Sequence, residues 1–143
     1  MNVQQVAVFL EHKPGRLAEI SHCLAAANVN IRALSLADTT DFGILRLVAD
    51  DTAKAKRILK ENGFTVGVTE VIAVGAEDKP GGMDKVLQVV SKAGLNVEYM
   101  YAFTRQSGDS GILLFKFDAP DRAVAAFKEA GLKILSGEEV HTM

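Results

Sequence analysis

The chain writes the same turn twice. "EHKPGRLAEI" at Glu11 to Ile20 returns as "EDKPGGMDKV" at Glu77 to Val86. Pro14 and Pro80 are 66 positions apart, as are Gly15 and Gly81, and Asn30 and Asn96. After each turn, Leu17, Ile20, Leu24 and Ala27 match Met83, Val86, Val90 and Ala93. Spacings of 3, 4 and 3 place each set on one face of a helix. Later the step becomes 68, where Gly43-Ile44-Leu45 matches Gly111-Ile112-Leu113 and Glu61-Asn62-Gly63-Phe64 matches Glu129-Ala130-Gly131-Leu132. The two extra residues fall in the "TRQSGDSG" loop, where added length costs little. Such self-similarity marks a duplicated domain, so both halves must adopt one plan.

Each copy reads as strand, helix, strand, strand, helix, strand. In the first copy, strands are predicted over 3–10, 30–37 and 43–49, with a last strand from Phe64 and helices over 15–27 and 52–61. The turn-rich "DTTD" joins the middle two strands. In the second copy, strands are predicted over 72–76, 96–103, 111–117 and 132–140, with helices over 82–93 and 121–129. This order is the split βαβ plan of α+β ferredoxin-like folds: an antiparallel sheet with two helices on one face. The right-handed crossover rule leaves few other topologies. The predicted domains are 1–70 and 71–143. "VGVTEVIAVG" must end one copy and begin the next, with no flexible linker, so the two copies are expected to pack together.

Hydrophobic content of 48% can build a core, and a net charge of -2 provides no field to attract nucleic acid or anionic membrane. "MNVQQVAVFLEHK" lacks the basic start and long apolar run of a signal peptide. No stretch approaches the roughly 18 apolar residues of a membrane helix. A soluble cytoplasmic protein is expected. Cys23 is the only cysteine, which excludes an internal disulfide and a cysteine-rich zinc site.

The turn itself has chemistry. A helix N-terminus leaves backbone N–H groups unpartnered, and the residue leading into each helix is Gly15 or Gly81, which has no side-chain oxygen to offer them. Pro14 and Pro80 stiffen the approach by fixing φ. The N–H groups of Arg16 and Leu17, and of Gly82 and Met83, are therefore candidate open donors for a carboxylate. Two residues before each proline stands His12 or Asp78, and Asn30 and Asn96 begin the next strand. Asp or Asn oxygens accept hydrogen bonds from an ammonium group. Anion donors beside cation acceptors suit a free amino acid. The same residues also fit a plain strand-to-helix turn whose donors meet water, and the residues alone leave both readings open.

A strand ending in E-x-K-P-G, a helix with apolar 3-4-3 spacing, then A-x-V-N-I into a strand resembles the ACT domain family. The resemblance covers nearly the whole chain as two tandem ACT units and is similar to proteins made only of two such domains. It implies a non-catalytic regulatory protein that binds amino acids or similar ligands at interfaces between ACT units. The loop after the first strand, the start of the first helix and the Asn opening the second strand would contact the ligand. Those positions are His12, Gly15 and Asn30 in copy one, and Asp78, Gly81 and Asn96 in copy two. His12 departs from the Asn or Asp usual in the family, and a protonated imidazole repels an ammonium, so copy two is the expected site. Gly82 in place of Arg16 is expected to open more room there. A partner enzyme of amino-acid metabolism follows from that regulatory role, and a homodimer is expected from the linker-free junction and the exposed edges of small four-stranded sheets; no cofactor is expected. The alternative is a structural pairing module without a ligand.

Other functions find less support. His12, His22 and His141 have no metal-ligand spacing, and no nucleophile motif such as G-x-S-x-G occurs. His22 is expected on a solvated helix face and Cys23 at the edge of the core. "GAEDKPGG" lacks the Gly-Lys-Ser/Thr ending of a phosphate loop. Tyr99, Tyr101 and Phe103 alternate along one strand, as RNA-stacking aromatics do, but without a basic cluster they are expected to be core or interface. The paired soft ligands that metal delivery needs are absent.

Overall fold

The computed structural model describes residues 2–11, 13–38, 42–104 and 110–143. They form two compact units. The first is Gln4–Thr69 with His141–Met143, and the second is Glu70–Val140 with the start of the chain through Val3. The "DTTD" turn and the "TRQSGDSG" loop lie largely outside the described residues.

The first unit is built from β1 (Val3–Glu11), α1 (Arg16–Ala26), β2 (Ile31–Asp38), β3 (Phe42–Ala49), α2 (Thr52–Glu61) and the start of β4 (Thr65–Glu77). Its strand order is β2-β3-β1-β4. Antiparallel pairing sets Val8 opposite Leu45, and Leu34 and Leu36 opposite Leu47 and Leu45. Directly opposed residues share a sheet face. The face bearing Val6, Val8, Leu10, Leu45 and Leu47 meets Ile20 and Leu24 of α1 and Ala55 and Leu59 of α2 in one buried cluster. Burying an aliphatic side chain such as Ile20 contributes about 1.5–3 kcal/mol. Asp51 caps α2 by accepting the Lys54 N–H at 3.1 Å, and Gly63 in the left-handed region (φ 86°) ends it. Cys23 packs at the margin of this core, and His22 is exposed, as the sequence predicts.

The second unit continues β4 into α3 (Gly82–Lys92), β5 (Val97–Thr104), β6 (Ser110–Phe117), α4 (Pro120–Glu129), β7 (Ile134–Leu135) and α5 (Gly137–His141). The order is β5-β6-β4, with β7 pairing β4. Val86, Val90 and Ala123 pack with Phe115, Phe117 and Phe127. The three ring centroids lie 5.0, 6.0 and 5.8 Å apart, a mutually packed set that adds to the burial of each ring. Tyr99, Tyr101 and Phe103 oppose Lys116, Leu114 and Ile112, so they lie on the sheet face away from Leu113 and Phe115 and are half-buried there.

"VGVTEVIAVG" lies, as predicted, within one unbroken strand, β4. The last predicted strand, 132–140, is instead the two-residue β7 followed by α5. The cause is a capping box. Ser136 Oγ accepts the Glu139 N–H at 3.1 Å, and Glu139 Oε1 accepts the Ser136 N–H at 3.2 Å. That reciprocal pair turns "SGEE" into a helix start, which ends the strand.

Candidate functional site

Both Lys-Pro-Gly segments close as type II turns. Gly15 (φ 87°, ψ -9°) and Gly81 (φ 90°, ψ -10°) hold the position that needs positive φ, and proline precedes each. The turns are closed by the Arg16 N–H donating to the Lys13 carbonyl (3.4 Å) and the Gly82 N–H donating to the Lys79 carbonyl (3.0 Å). Two of the four donors expected to be open are therefore engaged, because the first helical residue is also the last residue of the turn. The N–H groups of Leu17 and Ala18, and of Met83 and Asp84, have no backbone acceptor among the described residues, since intrahelical bonding begins at Glu19 and Lys85. Neither helix has a side-chain cap.

The repeated acidic residue and lysine pair across each turn. Glu11 and Lys13 are 2.9 Å apart, and Glu77 and Lys79 are 2.6 Å apart, with Lys85 3.9 Å from Glu77. The hydrogen bond from the lysine, then its charge, holds each carboxyl below its ordinary value, and Glu77 in turn raises Lys79. Part of the repeated motif thus serves the turn's own shape. Asp78 lies between Glu77 and Lys79, exposed, with no hydrogen bond or ion pair among the described residues.

The two turns differ in the space beside them. In the second unit a groove of about 660 Å³ runs between the turn and β5 and β6, with Asp78, Pro80 and Met83 along one side and Ala76, Ala102 and Leu113 among its lining. The matching hollow in the first unit, lined by Leu10, Leu17 and Leu36, has about 100 Å³. Leu10 stands where copy two has Ala76, and Leu36 where it has Ala102. Leu36 covers the end of β3, its Cδ1 within 3.5 Å of where a Cβ on Gly43 would sit.

Arg16 is among the lining of the smaller hollow, and its counterpart Gly82 has a second role. A Cβ there would sit 1.8 Å from the Glu77 carbonyl oxygen, so glycine lets the start of α3 press against the end of β4. Arg16, its counterpart, lies 4.6 Å over the Phe64 ring and 2.9 Å from Glu19, folded along its own unit. Met83 (46% exposed) and Leu17 (41%) occupy the first position of each 3-4-3 stripe, yet they line the grooves rather than the cores. The period that finds a core face does not show where that face stops being covered.

The structure does not bring Asn30 or Asn96 to the turn of its own unit. Each lies beyond the far end of an 11-residue helix, about 16 Å along at 1.5 Å per residue. Asn30 exchanges backbone bonds with Asp50, donating to its Oδ1 and accepting from its N–H, both at 3.0 Å, and the Asn96 carbonyl accepts from the Asp118 N–H at 3.4 Å. His12 lies outside the described residues. Among the described residues, no His, Cys, Asp or Glu group could hold a metal ion, and no helix is long and apolar enough to cross a membrane.

Two βαββαβ units, each with an uncapped helix start beside a strand end, define a duplicated ferredoxin-like protein. The family model of the ACT domain pair matches residues 1–143, and the chain belongs to that family. A crystal structure of a Bacteroides thetaiotaomicron protein is 34% identical, with a TM-score of 0.93 over 100% of this chain and 98% of that one. The ligand-free regulatory subunit of aspartate kinase from Thermus thermophilus is 17% identical, with a TM-score of 0.63 over 91% of this chain and 93% of that one. Its counterpart from Thermus flavus is 17% identical, with a TM-score of 0.62 over 92% and 94%. At that identity the two subunits share the fold. No curated protein matches the chain.

Proposed function

We propose that this ACT pair is a non-catalytic regulatory protein that binds a free amino acid, or a similar small ligand, and modulates a partner enzyme of amino-acid metabolism. The observation that carries this reading is the groove of the second unit, whose lining includes Asp78 and also Met83, whose N–H has no backbone acceptor among the described residues. A carboxylate can hold the ligand's ammonium, while the helix N–H groups hold its carboxylate. The helix dipole adds about 0.3–1 kcal/mol to that attraction. Kinship of fold with regulatory subunits of aspartate kinase supports the regulatory role. Met83, with Gly81 and Gly82 at the start of α3, is proposed for the site, and Arg16 and Leu17, with Gly15, are its counterpart in the first unit. Asn96 lies beyond the far end of α3 from its own turn, so an asparagine contact at this groove would have to come from another ACT unit; a homodimer remains part of the proposal. Each ACT domain is taken as one half of the chain, 1–70 and 71–143.

A dissociation constant between micromolar and millimolar is expected, about 4–8 kcal/mol of binding. A ligand at about one hundred times its dissociation constant adds about 2.7 kcal/mol of stability. Thermal unfolding with each common amino acid tests this. A shift with at least one supports the reading; no shift with any leaves the structural pairing module.

A further inference from the structure

The groove beside Asp78 is lined in part by the paired Glu77 and Lys79 of the turn, and the rest of its lining is largely apolar. Ala76, Ala102 and Leu113 contribute to it, and the exposed thioether of Met83 forms part of one wall. Ala102 lies directly opposite Leu113 in the ladder, so the two share the helix-facing side of the sheet. In the first unit the same positions hold Leu36 and Leu45, and Leu10 replaces Ala76. Each Leu-to-Ala difference removes an isopropyl group from the lining. The hollow that retains both leucines has about 100 Å³, against about 660 Å³ where both are alanine. The first unit thus fills with its own side chains a space that the second leaves open.

We infer that the ligand of the second unit is an amino acid with an aliphatic side chain, seated over Ala76 and Ala102 where copy one places Leu10 and Leu36, and that the chain has one such site. This rests on the regulatory reading above and adds the ligand's chemical class. The chemistry is complementary in two zones. Asp78 and the start of α3 would take the polar end common to all amino acids, and Ala76, Ala102 and Leu113, apart from the Glu77–Lys79 pair, would take the side chain. Over Ala76, Ala102 and Leu113 a charged or amide side chain gains no hydrogen bond from those side chains for the water it loses, whereas an aliphatic one loses only unfavourable contact with water. Each buried methylene should tighten binding about fourfold.

Isothermal titration calorimetry of the full chain with L-valine, L-leucine, L-isoleucine and L-methionine, against L-alanine, L-serine, L-aspartate and L-lysine, tests the inference. The expected result is binding of at least one of the first four, at least tenfold tighter than alanine or any polar amino acid, at one equivalent per chain. Ala102→Leu, at an exposed position where a larger side chain is tolerated, should weaken that binding at least tenfold with an unchanged circular dichroism spectrum. Ala76→Leu is the second variant with the same expectation, should the first disturb folding. Tightest binding of aspartate, lysine or serine overturns the aliphatic class while the regulatory reading stands. Two equal sites per chain, or aliphatic binding that neither leucine variant weakens, overturns the placement. No binding of any of the eight overturns this inference, and a flat response to all the common amino acids sinks the regulatory reading with it.

Discussion

The α-carbon of Gly82 is held against the carbonyl of Glu77, so close that a Cβ would sit 1.8 Å from the oxygen. The clash is with backbone, which cannot swing aside. Gly82→Ala should therefore destabilise the second unit by about 3 kcal/mol, near the upper range for overpacking. Gly81→Ala meets no atom within 4 Å but must keep φ near 90°, so it should cost only about 1–2 kcal/mol. Urea unfolding of the two variants measures both, and Gly82→Ala should prove the worse. The reverse order would mean that positive φ, not close approach, governs the turn.

Asp78→Ala should weaken ligand binding by about 1.5–3 kcal/mol, the scale of a hydrogen bond to a charged group. Stability should change little, because the side chain is exposed and makes no bond within the protein. His12→Ala should matter less at pH 7, because an imidazole is a weaker holder of an ammonium than a carboxylate. Calorimetric titration of both variants decides the ranking. Normal binding by Asp78→Ala with loss in His12→Ala would move the working site to the first unit.

The Glu77–Lys79 pair predicts a direction for pH and salt. Glu77 titrates below its ordinary 4.5 when folded, so its contribution is present above that value and lost as pH falls through the lower folded pKa. Lys79 titrates above 10.5, so its contribution is present below that value and lost as pH rises through the higher folded pKa. Both groups are exposed, so the effect is small and screened by salt. Glu77→Gln should flatten the acid limb of the stability profile, and about 1 M salt should flatten it in the parent protein. Parallel profiles for parent and variant would exclude the pair as a source of that dependence.

Ser136→Ala and Glu139→Ala each remove half of the capping box that starts α5. Each should cost about 0.5–2 kcal/mol, and the double variant less than the sum, since the two bonds serve one helix start. Chemical denaturation of the three variants gives the coupling directly. Full additivity would mean that the two bonds act independently.

The element order was legible in the sequence because each half repeats one hydrophobic period between the same punctuating residues. Ile20 and Leu24 are buried where their spacing puts them, Lys-Pro-Gly makes the turn its composition demands, and "VGVTEVIAVG" lies in one strand. "SGEE" carries a capping-box pattern, Ser136 followed three residues later by Glu139, within the stretch predicted as strand 132–140. These are local features, set by backbone sterics and side-chain period within a few residues. The groove is different. Ala76, Met83, Ala102 and Leu113 are scattered over four elements, and only the fold brings them to one groove. Nor did the sequence show that Gly82 draws two backbones together, or that the Arg16 and Gly82 N–H groups close their own turns. Close approach and hydrogen-bond partnership are properties of distance through space, which the fold determines and residue order alone does not reveal.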